Sequence, residues 1–594
     1  MAAANITFQV NCNIERRPYL WKTFDHLKTT LSSVFKSNLR DAQQVSMHFD
    51  ASKTIKNAPV KILDAFVDLV FEFDDQPLLP SQSNFAPVDE LKEALLITDI
   101  EGKIPDNFPE GVYIRNGANP LFGGLKSTKS MFGRSSHSWV EGEGMVHALY
   151  FNKGVDGSWN IVYNNRYVET ETFKLEKQRN KPSVLPAAEG DSPAILSAYI
   201  LNLHSGKFYS IAENYVPQEI DILALKTLGN WDINGAWKRP CTSHPKKAPG
   251  TGELVIIGMD AIKPFVELGV ISDDGNKLIH KVDLKLDRCC LMHDIGITQR
   301  YNVILDFPPT IDIKRLFRGG PLIKYIKEDY ARIGIMPRYG DSDSIQWFEV
   351  ETNCTFHILN CFEDDDEVVV WGCRALDAII LGPDKGLNKF EWFSKRLKPI
   401  NSIEGDINIS TEDGSLFTRF YEWRLHMQTG EIKERNLTGD EFSMDFPMIN
   451  EKFIGVQNKY GYAQVVDSIA SSTSGKVKYG GVAKLYFEET DTRFSLRKRH
   501  SEEHIKVEYH MFEKNTFCTG AAFVSKEGGL EEDDGWIITF VHNEDTDISE
   551  VYIIDTKKFS SELVAKITLP CRVPYGFHGA FMPISCELSR IINV

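Results

Sequence analysis

The feature that most constrains the fold is a long series of short β-type segments, which begins at Gly111 and continues to Thr556. Examples are GVYIRNG, ELVIIG, YNVILDF and GWIITFVHN, which are rich in β-branched and aromatic residues and are separated by Gly, Asp and Asn. Helical patterns rarely alternate with these segments, which argues against a doubly wound α/β sheet. The pattern instead predicts one large all-β body, built either as stacked sandwiches or as a propeller.

No linker divides the 594 residues, so we expect one domain over residues 55–594 behind an N-terminal extension of residues 1–54. From Pro59 to Phe73, apolar residues recur at helical spacing and acidic residues repeat on the opposite face, which predicts an amphipathic helix. The acidic polar face favours a lid packed on the main body, since membrane-surface helices usually carry a basic face. Peripheral membrane contact through this helix stays open as the alternative.

Charge and cysteine usage narrow the choice of partners and compartment. The formal net charge is −16, from 67 basic and 83 acidic residues, so we expect no nucleic-acid partner. The ten cysteines contain no CxxC pair, as expected for reduced thiols. We therefore predict a cytoplasmic protein, with a plastid as the alternative because residues 1–54 contain seven basic and four acidic residues. No apolar run approaches the ~20 residues of a membrane-spanning helix.

Four of the fifteen histidines stand in contexts that a metal site would need. His244 lies at a turn before Pro245, whereas the other three, His293, His357 and His578, each lie among apolar residues. They are too far apart in sequence for a zinc finger or an HExxH helix, so only strands converging on one axis would bring them together. The residues alone favour ordinary hydrogen-bonded core histidines over a metal site.

Two acidic residues could support such imidazoles. Glu213 shares a predicted strand face with Tyr209, Ile211 and Tyr215, where an ionised carboxylate needs compensation. It either accepts the second N–H of a metal-bound imidazole or lies at a strand end in water. Asp445, directly before a Phe-Pro pair, is either a turn residue or a similar acceptor.

Eight segments occur in a fixed order from Ser83 to Phe581, nearly the whole chain, and four of them contain the histidines described above. The segments are SNFAPV, EGVYIRNGANPLF, HSWVEGEGMVHALYF, TSHPK, MHDIGIT, FHILNCFE, EDDGWIITFVHNE and LPCRVPYGFHGAF. Together they closely resemble the plant carotenoid cleavage dioxygenases, most of all the 9,10(9',10')-cleaving type.

The resemblance implies a seven-bladed β-propeller with a helical dome over the iron-bearing end. It implies Fe²⁺ as the cofactor, held on the axis by four ligands, His244, His293, His357 and His578. Three glutamates orient the ligands in that family: Glu213 matches the first, Asp445 is a shorter acid at the second, and Gly520 stands at the third. Because glycine supplies no acceptor, we expect a glutamate restored at position 520 to raise iron affinity.

The implied function is cleavage of a conjugated double bond of a carotenoid or apocarotenoid with O₂, which yields two carbonyl products without an organic cofactor. Phe356 and Phe577, each next to a ligand, are candidate walls of the substrate tunnel, and ordinary core packing explains them equally well. Gly520 and a shortened segment before His204 motivate an alternative, a carotenoid-binding protein of the same fold without chemistry. A polyene isomerase is the third candidate, since related iron propellers catalyse that reaction.

Overall fold

The chain folds into a mainly β structure, which confirms the all-β prediction. The structure, a computed structural model, describes residues 67–584 apart from 187–188, 193, 196–215, 376, 378–388, 400–413, 415 and 491–502. Glu213, the shortened segment before His204 and the first part of the predicted amphipathic helix lie outside the described residues.

The described residues form 35 strands, numbered here in chain order. They are β1 (Glu72–Asp75), β2 (Leu95–Ile97), β3 (Ile100–Gly102), β4 (Gly111–Ala118), β5 (Lys126–Ser130), β6 (Gly133–Ser136), β7 (Gly144–Lys153), β8 (Trp159–Tyr167), β9 (Glu189–Gly190), β10 (Gln218–Asp221), β11 (Lys226–Asn230), β12 (Lys246–Lys247), β13 (Leu254–Met259), β14 (Val266–Ile271), β15 (Leu278–Asp283), β16 (Cys289–Cys290), β17 (Gly296–Ile297), β18 (Tyr301–Asp306), β19 (Pro309–Ile311), β20 (Ile323–Tyr325), β21 (Ala331–Pro337), β22 (Gln346–Val350), β23 (Cys354–Asp364), β24 (Glu367–Ala375), β25 (Thr418–His426), β26 (Ile432–Asn436), β27 (Met444–Met448), β28 (Tyr460–Val466), β29 (Tyr479–Thr490), β30 (Ile505–Met511), β31 (Thr516–Ser525), β32 (Gly535–Asn543), β33 (Ile548–Asp555), β34 (Ala565–Thr568) and β35 (Gly579–Met582).

Most of these strands form antiparallel meanders, the blades of the seven-bladed propeller that the resemblance implied. Four sheets have the orders β2-β8-β7-β4-β35, β12-β13-β14-β15, β17-β18-β21-β22 and β23-β24-β25-β26. A larger sheet, β27-β28-β29-β31-β32-β33-β34-β3 with β30 paired to β29, joins two further blades. The remaining blade contributes β10 and β11, next to residues 196–215. Because β35 pairs with β4, strands from opposite ends of the chain close the ring within one sheet.

The hydrophobic core lies between neighbouring blades rather than at one centre. In one such layer, Tyr113 and Leu149 of one blade pack with Ile538 and Ile553 of the next. Both faces of most blades are covered in this way, so strands such as β7 and β32 are buried over nearly their whole length. This explains why the sequence shows continuous apolar runs in place of alternation.

In the described part of the chain, the helices are few and short. They are α1 (Glu171–Arg179), α2 (Ile313–Leu316), α3 (Lys389–Arg396) and α4 (Ser468–Ser474), together with 3₁₀ turns at Pro80–Phe85, Ser342–Ser344 and Glu451–Phe453. A separate apolar group, the dome cluster, joins α2 and residues 67–71 to the connections around β16, β19 and β20; its buried members are Val67, Phe71, Leu185, Ile195, Cys289, Ile311, Leu316, Leu322 and Ile323. Within the described ranges, no helix has the length and apolar character needed to cross a bilayer.

The predicted helix up to Phe73 is wrong at its C-terminal end. Residues 67–70 are helical, but β1 begins at Glu72 and pairs with β5. Of the acids on the expected polar face, Glu72 lies in β1 opposite Lys129 of β5, and Asp68 forms ion pairs with Arg179 and Lys181. Val67 and Phe71 are buried in the dome cluster, as a lid packed on the body requires.

Candidate metal centre

The innermost segments of six blades bring five side chains and one glycine to the propeller axis. In chain order these residues are His244 before β12, His293 before β17, His357 in β23, Asp445 in β27, Gly520 in β31, which contributes only its backbone, and His578 before β35. Contacts join β17 to β23, β23 to β27, β27 to β31 and β31 to β35, and an isolated bridge joins His244 to Asp294, which holds these positions close together. The closed architecture that the histidine spacing demanded is therefore present.

The four imidazoles face one another through their Nε2 atoms. The Nε2 of His293 lies 2.9 Å from that of His244 and 3.0 Å from that of His357. The Nε2 of His578 lies 3.1 Å from that of His357, and all four nitrogen atoms lie within 4.8 Å of one another. Nitrogen donors in this arrangement fit a single divalent transition-metal ion.

Burial favours the uncharged form of two of these imidazoles. Removal from water, and then the neighbouring imidazoles, lowers the pKa of His244 well below its ordinary value. The same two causes lower the pKa of His578, where Lys246 adds a smaller effect. Because a neutral imidazole offers a lone pair and an imidazolium does not, the low pKa values favour metal binding over proton binding.

Asp445 lies where a carboxylate fixes the tautomer of His357. The Nδ1–H of His357 donates to Oδ1 of Asp445 over 2.6 Å, so its Nε2 is left as an acceptor facing the centre. The backbone N–H of Phe446 donates to the same oxygen over 2.8 Å and holds the carboxylate in place. Of the two roles considered from the sequence, the structure shows the hydrogen bond to an imidazole.

Gly520 supplies no such acceptor to His578. Among the described residues, none accepts a hydrogen bond from Nδ1 of His578. The backbone of Gly520 has a φ of +70°, and a Cβ atom added there would lie 2.6 Å from Cγ of Arg115. The buried Arg115 side chain fills the space that a glutamate would need, which argues against the expectation that a glutamate at this position would strengthen the site.

The aromatic residues around the centre differ in part from the predicted tunnel walls. Phe356 packs edge-on against His293, with ring centres 5.3 Å apart. Phe577 packs against Trp139 at 5.7 Å and has no ring contact with a histidine among the described residues. Sequence reasoning missed Phe446, whose ring centre lies 5.1 Å from that of His357 and 4.6 Å from that of His578.

Phe446 has an unusual backbone that the sequence could have suggested. Its φ is +52°, a left-handed conformation that is uncommon for an aromatic residue, and proline at the next position restricts it further. Strained residues of this kind cluster at functional sites, and here the strain turns the ring onto two imidazoles. The signal in the sequence was the Asp-Phe-Pro order at a strand that reaches the axis.

A cavity of about 160 Å³ adjoins the centre. It is lined by residues that follow the axial positions along the innermost strands, including Lys246, Gly296, Ile358, Pro447, Ala522 and Gly579. Lys246 and Glu451 contribute the charged groups of its wall.

Comparisons with known proteins agree with this geometry. A family profile described as retinal pigment epithelial membrane protein matches residues 85–583. The carotenoid 9,10(9',10')-cleavage dioxygenase of Crocus sativus is 29% identical over 577 residues, which cover 91% of this chain and 95% of that protein. The probable carotenoid cleavage dioxygenase 4, chloroplastic, of Arabidopsis thaliana is 26% identical over 621 residues, 95% of this chain and 93% of that protein.

Solved structures share the fold. The lignostilbene dioxygenase of Pseudomonas brassicacearum aligns with a TM-score of 0.66 and 19% identity, over 86% of this chain and 100% of that one. A cobalt-substituted apocarotenoid oxygenase of Synechocystis aligns with a TM-score of 0.61 and 18% identity, over the same shares of the two chains. A divalent metal is thus accommodated by a protein of this architecture.

Proposed function

The chain belongs to the carotenoid oxygenase family, and from that premise we propose that it is a non-haem iron(II) dioxygenase that cleaves a conjugated double bond of a carotenoid or apocarotenoid. The observation that carries the proposal is the cluster of four imidazoles, whose Nε2 atoms face one another on the propeller axis. His244, His293, His357 and His578 would hold the iron. Bound Fe(II) would activate O₂, which the spin-paired polyene alone does not do.

The overall reaction is balanced without a further reductant. Both oxygen atoms of O₂ are added to the two carbons of one C=C bond, that bond breaks, and each carbon leaves as a carbonyl group. No electron donor or organic cofactor is consumed, so the protein needs only to bind, orient and shield the polyene.

The chain's own residues meet those needs in separate ways. Asp445 holds the Nδ1 proton of His357, and the burial of the cluster keeps His244 and His578 neutral. Phe356 and Phe446 place aromatic rings against the ligands, where they exclude water and offer a surface for a conjugated chain. Phe577, one residue from His578 and packed against Trp139, would extend this wall away from the centre.

The two alternatives are a carotenoid-binding protein and a polyene isomerase. The missing acceptor at Gly520 supports the hypothesis of a binding protein. A protein that only binds a carotenoid, however, does not need four imidazoles that converge on one point. Labelled oxygen separates the isomerase from the dioxygenase, since isomerisation incorporates none.

The test combines metal content with product analysis. Protein reconstituted with Fe(II) should hold about one iron per chain, and alanine at any one of the four histidines should sharply lower this. With a panel of xanthophylls, carotenes and apocarotenals under ¹⁸O₂, we expect bleaching and labelled aldehyde or ketone fragments, with carbonyl exchange controlled. If the iron-loaded protein binds carotenoids stoichiometrically and leaves them intact, the protein is a carotenoid-binding protein and not a dioxygenase.

For localisation we propose a plastid ahead of the cytoplasm. The basic character of residues 1–54 and the chloroplastic relative support this choice. A fluorescent protein fused behind residues 1–54 should enter plastids of plant cells; fluorescence that stays in the cytoplasm would favour the other compartment.

A further inference from the structure

We propose that Asp294, paired with Lys246, is a positioning residue that holds three of the four histidine-bearing strands in fixed register at the metal centre. The inference rests on the proposed function, because it assigns these two residues a role toward the metal that the four histidines would bind. Asp294 is not one of the acids, Glu213 and Asp445, that were expected to accept a hydrogen bond from an imidazole, and Lys246 was assigned no role. The role of both residues is inferred from contacts between the segments that carry the ligands.

Asp294 joins the segments of two ligands through its two oxygens. It follows His293 in sequence, and its side chain is almost completely buried. Its Oδ1 accepts from the backbone N–H of Ile295 over 2.7 Å, and its Oδ2 accepts from that of Ile358 over 2.9 Å. Since Ile358 follows His357, one carboxylate fixes the spacing between two ligand-bearing strands.

Lys246 adds the third segment. It lies two residues after His244, and its Nζ is 3.0 Å from Oδ1 and 3.3 Å from Oδ2 of Asp294. The backbones of His244 and Asp294 also form an isolated parallel bridge. The ammonium therefore ties the His244 segment to the same carboxylate, next to the cavity that adjoins the centre.

Stability alone gives no reason for this arrangement. Replacing a buried ion pair by apolar residues of similar size is often neutral or stabilising, so such a pair is weak evidence for a stabilising role. Fixed register is the better-attested use of buried polar groups, and a metal centre needs it because small displacements of a ligand weaken binding. The contacts of Asp294 converge on ligand-bearing segments, as a positioning role requires.

The test measures Co²⁺ affinity of the full chain by competition with a chromophoric chelator, and records the visible absorption of the cobalt protein. Asp294→Asn keeps the shape, but its single acceptor oxygen cannot serve both backbone N–H groups. We expect ~10–100-fold weaker cobalt binding, the range seen when groups that support ligands are changed. The matched control is Asp533→Asn, since Asp533 pairs with buried Lys484 of β29 over 2.8 Å and neither residue lies in a ligand-bearing segment. We expect this control to lower the melting temperature and leave cobalt affinity unchanged.

A double variant separates positioning from stability. In Asp294→Asn/Lys246→Met no unpaired charge is buried, so we expect the melting temperature to recover relative to Asp294→Asn while cobalt affinity stays low. Recovery of affinity together with stability would overturn the proposal, as would wild-type affinity in folded Asp294→Asn or an equal loss in the control. If Asp294→Asn does not fold, the double variant carries the same comparison. A wild-type chain that binds no cobalt would instead overturn the proposed function.

Discussion

The carboxylate of Asp445 decides which nitrogen of His357 faces the centre. Its hydrogen bond to Nδ1 keeps the proton on that side and leaves the Nε2 lone pair for a metal. Asp445→Asn removes the charge and allows the amide to present its N–H₂ instead, so we expect ~10–100-fold weaker metal binding. Equilibrium competition against a chelator measures this, and Asp343→Asn at a highly exposed site is the control. Equal affinities in both variants would show that the tautomer is fixed by other means.

The surroundings of Gly520 leave no room for a side chain at this position. A side chain there meets the left-handed backbone and Cγ of Arg115 together. The backbone alone costs roughly 1–2 kcal/mol for a non-glycine residue, and the contact with a buried arginine adds to it. We expect Gly520→Ala to lower the melting temperature without raising metal affinity.

Gly528 provides the matched control for that prediction. Its φ is +71°, almost the same as that of Gly520, but nothing lies within 4 Å of an added Cβ. Gly528→Ala therefore measures the backbone cost alone, and the difference between the two variants measures the Arg115 contact. Equal losses in melting temperature would show that Arg115 moves aside at no cost.

At the level of elements, α1 is joined to the start of β7 by a pair of buried carboxyl groups. Burial, and then the charge of Glu176 on α1, raises the pKa of Glu143 to about 7. Glu176 accepts from the backbone N–H groups of Ser183 and Val184, and the raised pKa belongs to Glu143. Glu143 is therefore the partner that carries the proton.

This pair predicts a pH dependence of stability. The unfolded chain releases the Glu143 proton near its ordinary pKa and the folded chain releases it near 7, so the pair costs stability as pH rises through this interval. Glu143→Gln removes the second charge, and we expect it to raise the melting temperature at pH 8 and change it little at pH 5. Glu171→Gln on the exposed side of α1 is the control. A gain of the same size at both pH values would contradict the raised pKa.

For the molecule as a whole, the sequence predicted what depends on local pattern and missed what depends on ring closure. The β-type runs predicted the all-β body, and the contexts of the histidines together with the resemblance identified the four that converge. Arg115 beside Gly520 could not be predicted, because β4 and β31 come from opposite ends of the chain. The same holds for Asp294 and Ile358, whose contact exists only once two blades are side by side.

Exposed apolar side chains lie next to residues of the dome cluster. Four exposed apolar residues, Leu69, Met131, Ile262 and Phe317, each lie directly before or after a residue of this cluster or one packed against it. A polyene substrate partitions into lipid, so apolar surface near the dome would assist its transfer. We expect Leu69→Ser/Phe317→Ser to weaken co-sedimentation with phosphatidylcholine vesicles and to leave cleavage of detergent-solubilised substrate unchanged. Leu530→Ser, at a residue 97% exposed in the β31–β32 connection, is the control for loss of exposed apolar area alone. If the control substitution weakens co-sedimentation as much as the dome substitutions do, or if the wild-type chain does not sediment with the vesicles, the dome is not the contact surface.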